Sequence, residues 1–405
     1  MNKPGFFQTF GPGIIMASSS VGGSHIIAST QAGAYYGWQL AGLIVLVNVL
    51  KYPFFRIAFD YAALHGKTLL EGYAERGHAY LWLFLAFNLF ATVVNIAGGT
   101  LLSALLLGMM LPQGISLNVL NLIVLASFVV LLFSHQYRRL DQVSKIIMLL
   151  LSAVTAAALL MAFGKPPPPA AAGFTDPSPW TLAAVPFLAA LMGWMPAPME
   201  LSVAGSMWVK EKNCRHAGYR EKRMVDFNTG YAVTIILALM FMMLGARVQY
   251  GQNVPPLSGG KFIGQFVEMY TAAIGGFMYV PMVLAAFACI YGTTIVAVDG
   301  YSRCNRQTVD LLRGRPSEAS ESDGVLRAWI IAAAVAAFVL IQFFSGAVGK
   351  MIPFAMTASF LSAPVFAWLN LGLAGSLPGQ RRLLPLAWLG LVYLVAMAAV
   401  YLLWA

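Results

Sequence analysis

The stretch Gly11–Gly33, GPGIIMASSSVGGSHIIASTQAG, is apolar enough to enter a bilayer, yet its middle consists of small and polar residues. Three consecutive serines lead into Gly22 and Gly23, which are followed by Ser24 and His25. An ordinary membrane anchor has leucine and isoleucine at such positions. Glycine and serine predict a helix that unwinds near mid-membrane, because the freed backbone groups need close neighbours and polar partners. Helix breaks at this depth are where secondary transporters bind their cargo.

The composition indicates that the whole chain is a membrane protein. Of its 405 residues, 59% are hydrophobic and 10% are charged, and the mean hydropathy is +0.74. Soluble domains carry about 25% charged residues. The N-terminus has no small-residue cleavage site, so we expect the first apolar segment to be retained. The three cysteines give no disulfide framework, and we expect no cofactor.

Eleven segments meet the requirement of about 20 mostly apolar residues for a spanning helix. The predicted fold class is therefore an all-α polytopic membrane protein. Residues 209–226 and 303–327 are expected to be charged cytoplasmic loops, and the Pro-rich residues 165–179 a non-helical extracellular linker. The predicted spans cover residues 12–33, 37–63, 79–108, 117–134, 143–164, 181–208, 226–248, 275–299, 327–345, 350–371 and 383–404.

The basic residues predict the orientation in the cell (inner) membrane. With a cytoplasmic N-terminus, 19 of the 25 lysines and arginines fall on the cytoplasmic side, as the positive-inside rule requires. Four lie on the outside, and Lys51 and Arg56 lie within the second span. The C-terminus is then extracytoplasmic. This one-sided distribution also accounts for the net charge of +10, so the expected partner is the lipid bilayer and not nucleic acid.

A second helix break pairs with the first. The sixth span contains LMGWMPAPMELSVAG (191–205), in which Pro196 and Pro198 cannot both belong to an unbroken helix. Short amphipathic segments follow the second span (67–77) and the seventh (261–270), and both are typical of helices that lie along the membrane surface. One would be cytoplasmic and the other extracellular. These correspondences predict two five-span units of inverted topology, which is the LeuT-type architecture.

The predicted organisation has four parts. They are a first five-span repeat at 1–164 with its first helix broken near 20–25, the linker at 165–179, a second inverted repeat at 180–371 with its helix broken near 195–198, and an additional eleventh span within 372–405. The alternative is that glycine and proline are simply commoner in membrane helices than in soluble ones. That alternative does not account for the pairing of the breaks and of the surface helices.

Several motifs together resemble one known family. Gly11-Pro12-Gly13 stands before the first span, QAGAYYGW follows its break, RIAFDYAALHGKTLLEGYAERG ends the second span, and Met195-Pro196 lies in the sixth. No single motif is specific, but their combination, with the span count and topology, is similar over nearly the whole chain to the Nramp family of divalent metal transporters. The resemblance implies a LeuT-type fold and proton-coupled uptake of manganese, iron or similar ions.

The chain departs from the family pattern at the expected metal site. Family members carry Asp-Pro-Gly-Asn at the first break, where the Asp and the Asn bind the metal. Here those four positions are Gly22, Gly23, Ser24 and His25. The family's Met-Pro-His in the sixth span is Met195-Pro196-Ala197 here. Met195 therefore remains available as a soft thioether ligand, whereas the aspartate, the asparagine and the histidine are replaced.

A further departure lies in the third span. The resemblance places Val93 and Ile96 where the family usually has acidic residues for a proton route, and Asn95 is the nearest polar residue. The missing acidic residues therefore imply that the family's usual proton route is absent from this chain. The candidate substrate-binding residues from both breaks and the neighbouring spans are Ser20, Gly22, Gly23, Ser24, His25, Asn95, Met195, Ala197, Glu200 and Thr357.

For a divalent metal cargo, the expected side-chain ligands are His25, Met195 and Glu200, together with unwound carbonyls and serine hydroxyls. Imidazole and thioether suit a softer transition metal. His25 could instead bind a helix carbonyl of the sixth or eighth span. Glu200 lies inside a span and is a functional candidate by default, but it could also cap the second half-helix.

Other polar residues within the spans have two interpretations. Lys51 is expected to extend its ammonium toward the cytoplasm, and a counter-ion role is the alternative. Asn95 and Thr357 either line the cavity or form ordinary hydrogen bonds between helices.

The sequence is compatible with three functions. The first is a divalent metal transporter with a non-standard site, and the second is a transporter of the same fold for a small organic or other non-metal solute. The third, a membrane sensor or enzyme, is disfavoured because the chain has no soluble output domain and no nucleophile–base pair. The sequence leaves the oligomeric state open, and a monomer is compatible with it.

Overall fold

The first predicted span is divided in the structure. In a computed structural model, which describes residues 11–112, 114–134, 137–216, 218–252, 260–315, 323–345, 347–378 and 380–404, helix α1 covers Pro12–Ser20. A π-helix follows at Ser24–Ser29, and α2 covers Thr30–Tyr36. The chain is non-helical at Val21 and Gly22, where the sequence predicts the break.

The described residues form fifteen α-helices and no strand. After α1 and α2 these are α3 (Ala41–His65), α4 (Leu69–Arg76), α5 (His78–Met110), α6 (Leu117–Phe133), α7 (Tyr137–Phe163), α8 (Val185–Gly193), α9 (Leu201–Arg215), α10 (Tyr219–Val248), α11 (Gly260–Ala273), α12 (Tyr279–Leu312), α13 (Asp323–Phe343), α14 (Val348–Leu371) and α15 (Leu384–Trp404). Short 3₁₀ turns lie at Leu182–Ala184, Gly276–Met278, Ala374–Ser376 and Gln380–Arg382.

Seven helical segments of the described chain are long and apolar enough to cross a membrane: Ala41–His65, His78–Met110, Tyr219–Val248, Gly276–Leu312, Gly324–Phe343, Gly349–Ser376 and Leu384–Trp404. Three shorter apolar helices coincide with the predicted fourth, fifth and sixth spans: Leu117–Phe133, Leu149–Phe163 and Leu182–Gly193. A divided span cannot contain one long helix, which is why the first and sixth spans are absent from the seven. The count of eleven spans stays a prediction.

The sixth predicted span is also divided. Helix α8 ends at Gly193 and α9 begins at Leu201, and the residues between them, including both prolines, are not helical. The peptide bond between Met195 and Pro196 is cis. Residues 165–179 contain no helix, as their proline content predicts. The two short amphipathic helices, α4 and α11, lie at the positions expected for them.

The prediction of charged loops at 209–226 and 303–327 is wrong for most of their length. Helix α9 continues to Arg215, α10 begins again at Tyr219, and α12 continues to Leu312. Lysine, arginine and glutamate are good helix formers. Ion pairs one turn apart, such as Arg306–Asp310 at 3.5 Å, support these extensions. The apolar spans therefore end before the helices do.

Helices α1 and α10 cross at unusually short range. A Cβ atom added to Gly13 would lie 2.2 Å from the Asp226 carbonyl oxygen, and one added to Gly230 would lie 2.2 Å from the Gly13 carbonyl oxygen. Only glycine permits such an approach of two backbones, and small residues at helix crossings are typical of membrane proteins. The half-helix before the first break is therefore held against α10.

The buried carboxylate of Asp226 caps the amino end of α1. Its two oxygens accept hydrogen bonds from Gly11 N at 3.0 Å and Gly13 N at 2.9 Å, and Oδ2 also accepts one from the Tyr219 hydroxyl at 2.8 Å. The first N–H groups of a helix lack intrahelical partners, and the positive end of its dipole favours an anion. Asp226 thus fixes the half-helix that leads to the first break.

Asp226→Ala is expected to destabilise the protein by roughly 3 kcal/mol, because it removes charge-assisted hydrogen bonds and leaves buried donors unpaired. Asp226→Asn is expected to be intermediate, since its amide keeps one acceptor. Thermal unfolding in detergent measures both. The matched control is Glu221→Ala, an exposed acid of the same helix, which should leave the melting temperature nearly unchanged. Equal melting temperatures for all three variants and the wild type would contradict the capping role.

Candidate functional site

The two breaks face a common cavity in the middle of the helix bundle. The cavity has a volume of about 60 Å³, which exceeds the ~10–15 Å³ that one water molecule needs and suits a small ion with a few waters. Its walls come from the end of α1, from α5, from the second break and from α12. Residues lining it include Ser19, Ser20, Gly22, Gly23, Asn95, Trp194, Pro198, Thr293, Thr294 and Tyr301. We call it the central cavity.

A polar network surrounds Glu200, immediately before α9. Glu200 Oε1 accepts hydrogen bonds from Asn95 Nδ2 at 2.8 Å and from the Tyr301 hydroxyl at 2.9 Å. The other oxygen, Oε2, is buried and has no hydrogen-bond partner among the described residues. A buried polar atom without a partner costs free energy. Glu200 therefore keeps an unused acceptor beside two residues of the central cavity.

The network extends to the second break and to α14. Trp194 Nε1 donates to Asn95 Oδ1 at 2.7 Å and also lies 3.1 Å from Ser359 Oγ. Ser359 Oγ in turn donates to Asn95 Oδ1 at 2.8 Å. Asn95 thus uses both ends of its amide to join four segments of the chain. Glu200 occupies the N-cap position of α9 but makes no capping hydrogen bond, so the capping interpretation is not supported by its geometry.

Lys51, in α3, lies beside the second break. Its side chain is fully buried, and Nζ donates to the carbonyl oxygens of Met192 at 2.6 Å, Met195 at 2.8 Å and Gly193 at 3.3 Å. The prediction that this ammonium extends toward the cytoplasm is wrong. The carbonyls at the end of α8 lie within its reach and replace water as acceptors.

The structure gathers some of the predicted site residues and separates others. Ser20, Gly22, Gly23 and Asn95 line the central cavity, and Glu200 is bound to Asn95. The side chain of Ser24 lies outside the described residues. His25 is fully buried and donates from Nε2 to the Thr234 carbonyl of α10 at 2.9 Å, so its acceptor is on neither of the spans expected for it. Met195 and Ala197 are buried and do not line the cavity.

Thr357 lines a different space. A cavity of about 610 Å³ lies between the π-helix, α2, α5, α8 and α14, and is bordered mainly by apolar side chains. Its polar members are Gln31, Tyr35, Lys350, Thr357, Ser362 and Tyr401. With the predicted orientation, Lys350 and the start of α14 lie on the extracellular side. This larger cavity then lies along the outer halves of both divided spans.

Trp194 and Tyr301 complete the network, and neither is among the residues predicted from the sequence. Each had a usable signal. Trp194 stands directly before the Met195-Pro196 pair of the second break, and a buried indole N–H needs a partner. Tyr301 carries a hydroxyl within a long membrane helix. Among the described residues there is no group of three or more His, Cys, Asp or Glu side chains that could hold a metal ion.

Comparison with known proteins agrees with this architecture. Residues 13–405 match the profile of a family described as natural resistance-associated macrophage protein-like (Nramp). An uncharacterised protein of Pasteurella multocida (strain Pm70) is 45% identical over 402 residues, which are 98% of this chain and 92% of the relative.

Two solved structures share the fold. A manganese transporter of Eremococcus coleocola matches with a TM-score of 0.73 at 13% identity, over 98% of this chain and 87% of the other. A transporter of the nucleobase-cation-symport-1 family, solved in a closed conformation with bromovinylhydantoin bound, gives a TM-score of 0.60 at 14% identity, over 89% and 77% of the two chains. The family match spans nearly the whole chain and confirms the resemblance inferred from the motifs, so this multi-pass membrane protein belongs to the Nramp family of transporters.

Proposed function

We propose that the protein is a secondary transporter that moves a divalent metal cation across the cell membrane by alternating access, with the central cavity as a non-standard metal site. Glu200 carries the proposal, because its Oε2 is a buried carboxyl oxygen with no hydrogen-bond partner among the described residues. Hard divalent cations prefer several oxygen ligands, usually including a carboxylate. The structurally similar Eremococcus coleocola protein is a manganese transporter, which supports the same cargo class.

The remaining ligands would be oxygen atoms around the cavity. Ser20, Asn95 and the backbone at Gly22 and Gly23 line it, and the predicted metal ligand Glu200 is bonded through its side chain to the cavity residues Asn95 and Tyr301. A Cβ at position 22 would lie 2.6 Å from Thr293 Oγ1. The aspartate that the family resemblance implies at this position therefore has no room unless Thr293 moves, which supports a site that differs from the family pattern.

We further propose eleven spans in a 5+5 inverted repeat, with the N-terminus in the cytoplasm and the C-terminus outside. Two divided spans and two short helices at corresponding positions support this arrangement. Alternating access would then open the central cavity to each side in turn. The absence of acidic residues at positions 93 and 96 supports a transport cycle that does not use the usual proton route of the family.

Cys214 offers a direct test of the orientation. It is the exposed one of the three cysteines, while Cys289 and Cys304 are buried. A membrane-impermeant maleimide is expected to label Cys214 in inside-out vesicles and not in intact cells. Cys214→Ser provides the control for background labelling. Labelling of Cys214 in intact cells would reverse the proposed topology.

A second function has one specific observation in its favour. The buried ammonium of Lys51 at the second break repels cations and attracts anions. A small organic or other non-metal solute with an anionic group is therefore the alternative cargo of the same site.

Flux into proteoliposomes separates the two functions. Purified protein is reconstituted around a metal-sensitive dye, and manganese, cadmium and magnesium are added outside in turn, with protein-free liposomes as control. Uptake of at least one metal, saturable and dependent on protein, is the expected result. If no metal enters or binds by calorimetry, while a metabolite raises the melting temperature and is transported, the second function replaces the first.

A further inference from the structure

The lysine at the second break has the surroundings of a bound metal ion rather than those of a surface lysine. Lys51 belongs to α3, and its Nζ contacts three main-chain carbonyls at 2.6 to 3.3 Å, all from the last residues of α8 and the break that follows. The side chain has no solvent exposure. A buried charge needs paired or polar ligands to offset its lost hydration. Here the carbonyl oxygens provide them.

The carbonyl oxygens that accept from Lys51 lie at and just after the end of α8, where they have no donor within the helix. The last carbonyls of a helix have no intrahelical donor, and the helix dipole places partial negative charge there. In transporters with broken helices, such half-helix carboxyl ends and unwound carbonyls coordinate a cation such as Na⁺. The carbonyls of Met192, Gly193 and Met195 form such a site, and the primary ammonium of Lys51 stands within it.

We propose that the carboxyl end of α8 is a monovalent-cation site that is permanently filled by the tethered ammonium of Lys51. The protein therefore needs no free alkali cation to hold the second break. This cation site is separate from the central cavity, whose lining does not include Met192, Gly193 or Met195, and Lys51 fills it whichever solute the cavity carries.

The tethered cation also restricts the cargo. The three carbonyls are already engaged, so a metal cargo cannot use them as ligands while Lys51 occupies the site. Its positive charge further disfavours a divalent cation beside these carbonyls. A metal cargo is then left with the oxygen atoms of the central cavity, beside which Glu200 has its unpaired oxygen. Lys51 acts as a positioning residue for the break and a determinant of specificity.

Removing the Lys51 side chain should convert the site at the end of α8 into one that binds free monovalent cations. Lys51→Ala leaves three unpaired carbonyls and a space, and we expect the melting temperature in choline chloride to fall by roughly 5 °C or more. Methylammonium, Na⁺ or K⁺ chloride at the same ionic strength should restore at least half of that loss with saturation, and should shift the wild type no more than choline does. The readout is thermal unfolding of the purified full chain, so it does not depend on transport.

Two control variants separate charge from packing. Lys51→Met fills the space without a charge and should be destabilised without rescue by any cation. Lys165→Ala removes an exposed lysine that also donates to the carbonyl at a helix end, that of Ala273 at 2.9 Å. It should neither lose stability nor respond to cations.

The proposal is overturned if Lys51→Met melts with the wild type, or if Lys51→Ala is stabilised no more by the small cations than by choline. Should Lys51→Ala not accumulate in membranes, Lys51→Arg and Lys51→Met are compared for accumulation. If only the Lys51→Arg variant is recovered folded, the site needs a cation. If Lys51→Arg and Lys51→Met are recovered folded in equal amounts, the proposal is contradicted.

Discussion

Glu200→Gln is expected to lower metal uptake into proteoliposomes by about 10- to 100-fold while the protein remains folded. The amide keeps an oxygen that can accept from Asn95 and Tyr301, so the network around the central cavity persists. What is lost is the negative charge that a divalent cation requires. A hydrogen bond or contact to a charged group contributes about 1.5–3 kcal/mol, and each 1.4 kcal/mol corresponds to a tenfold change.

The measurement is initial uptake at several metal concentrations, beside the melting temperature of each variant. Glu268→Gln is the matched control, since Glu268 is an exposed acid on the surface helix α11, and its uptake should equal that of the wild type. Tyr301→Phe should be intermediate, because it removes one donor to Glu200 and keeps the charge. Full uptake by folded Glu200→Gln would exclude Glu200 as a cargo ligand.

The positions of the breaks were predictable from the sequence, and their three-dimensional partners were not. Glycine and serine at 18–23 and the two prolines at 196 and 198 are locally incompatible with a continuous apolar helix, so periodicity and composition locate both breaks. The same local rules predicted short amphipathic helices at the positions of α4 and α11. They failed at the charged helix extensions, because a fall in hydropathy ends a span but does not end a helix.

The candidate site was predictable only in part, because local sequence patterns locate the helix breaks but not the contacts between distant segments. The central cavity is lined by Ser20, Gly22, Gly23 and Asn95, which stand out in the sequence as small or polar residues within apolar spans. Which helix face a side chain occupies depends on packing between distant segments. His25 follows the break by two residues, yet it points to α10.

Lys51 is the clearest case of such a failure. Nothing within its own span indicates that three carbonyls 141 to 144 residues later in the chain lie within its reach. A lysine in a span ordinarily extends toward the nearer membrane surface. That tendency reverses where a neighbouring helix ends inside the membrane, because the exposed carbonyls are closer than water.

Gly193→Ala is expected to cause the largest loss of stability among single methyl additions at this break. A Cβ at Gly193 would lie 1.9 Å from the Met356 carbonyl oxygen and 3.1 Å from Phe360 N. Both are backbone atoms of α14, so no side-chain rotation relieves the overlap and the two helices must separate by more than 1 Å. Overpacking a core typically costs about 1–3 kcal/mol and sometimes more, and we expect the upper end or beyond.

The consequence should extend past stability, because Gly193 is the last residue of α8 and its carbonyl is one of the three acceptors of Lys51. Displacing α8 from α14 moves the acceptors away from Nζ and disturbs Trp194, which donates to Asn95 and Ser359. The melting temperature and the rate of metal uptake should therefore both fall in Gly193→Ala.

The control is Gly264→Ala in α11, where an added Cβ meets nothing within 4 Å. Alanine there should be neutral or stabilising, since it favours the helix by up to about 1 kcal/mol over glycine. If both variants have the melting temperature of the wild type, the close contact of α8 with α14 does not hold the second break in place.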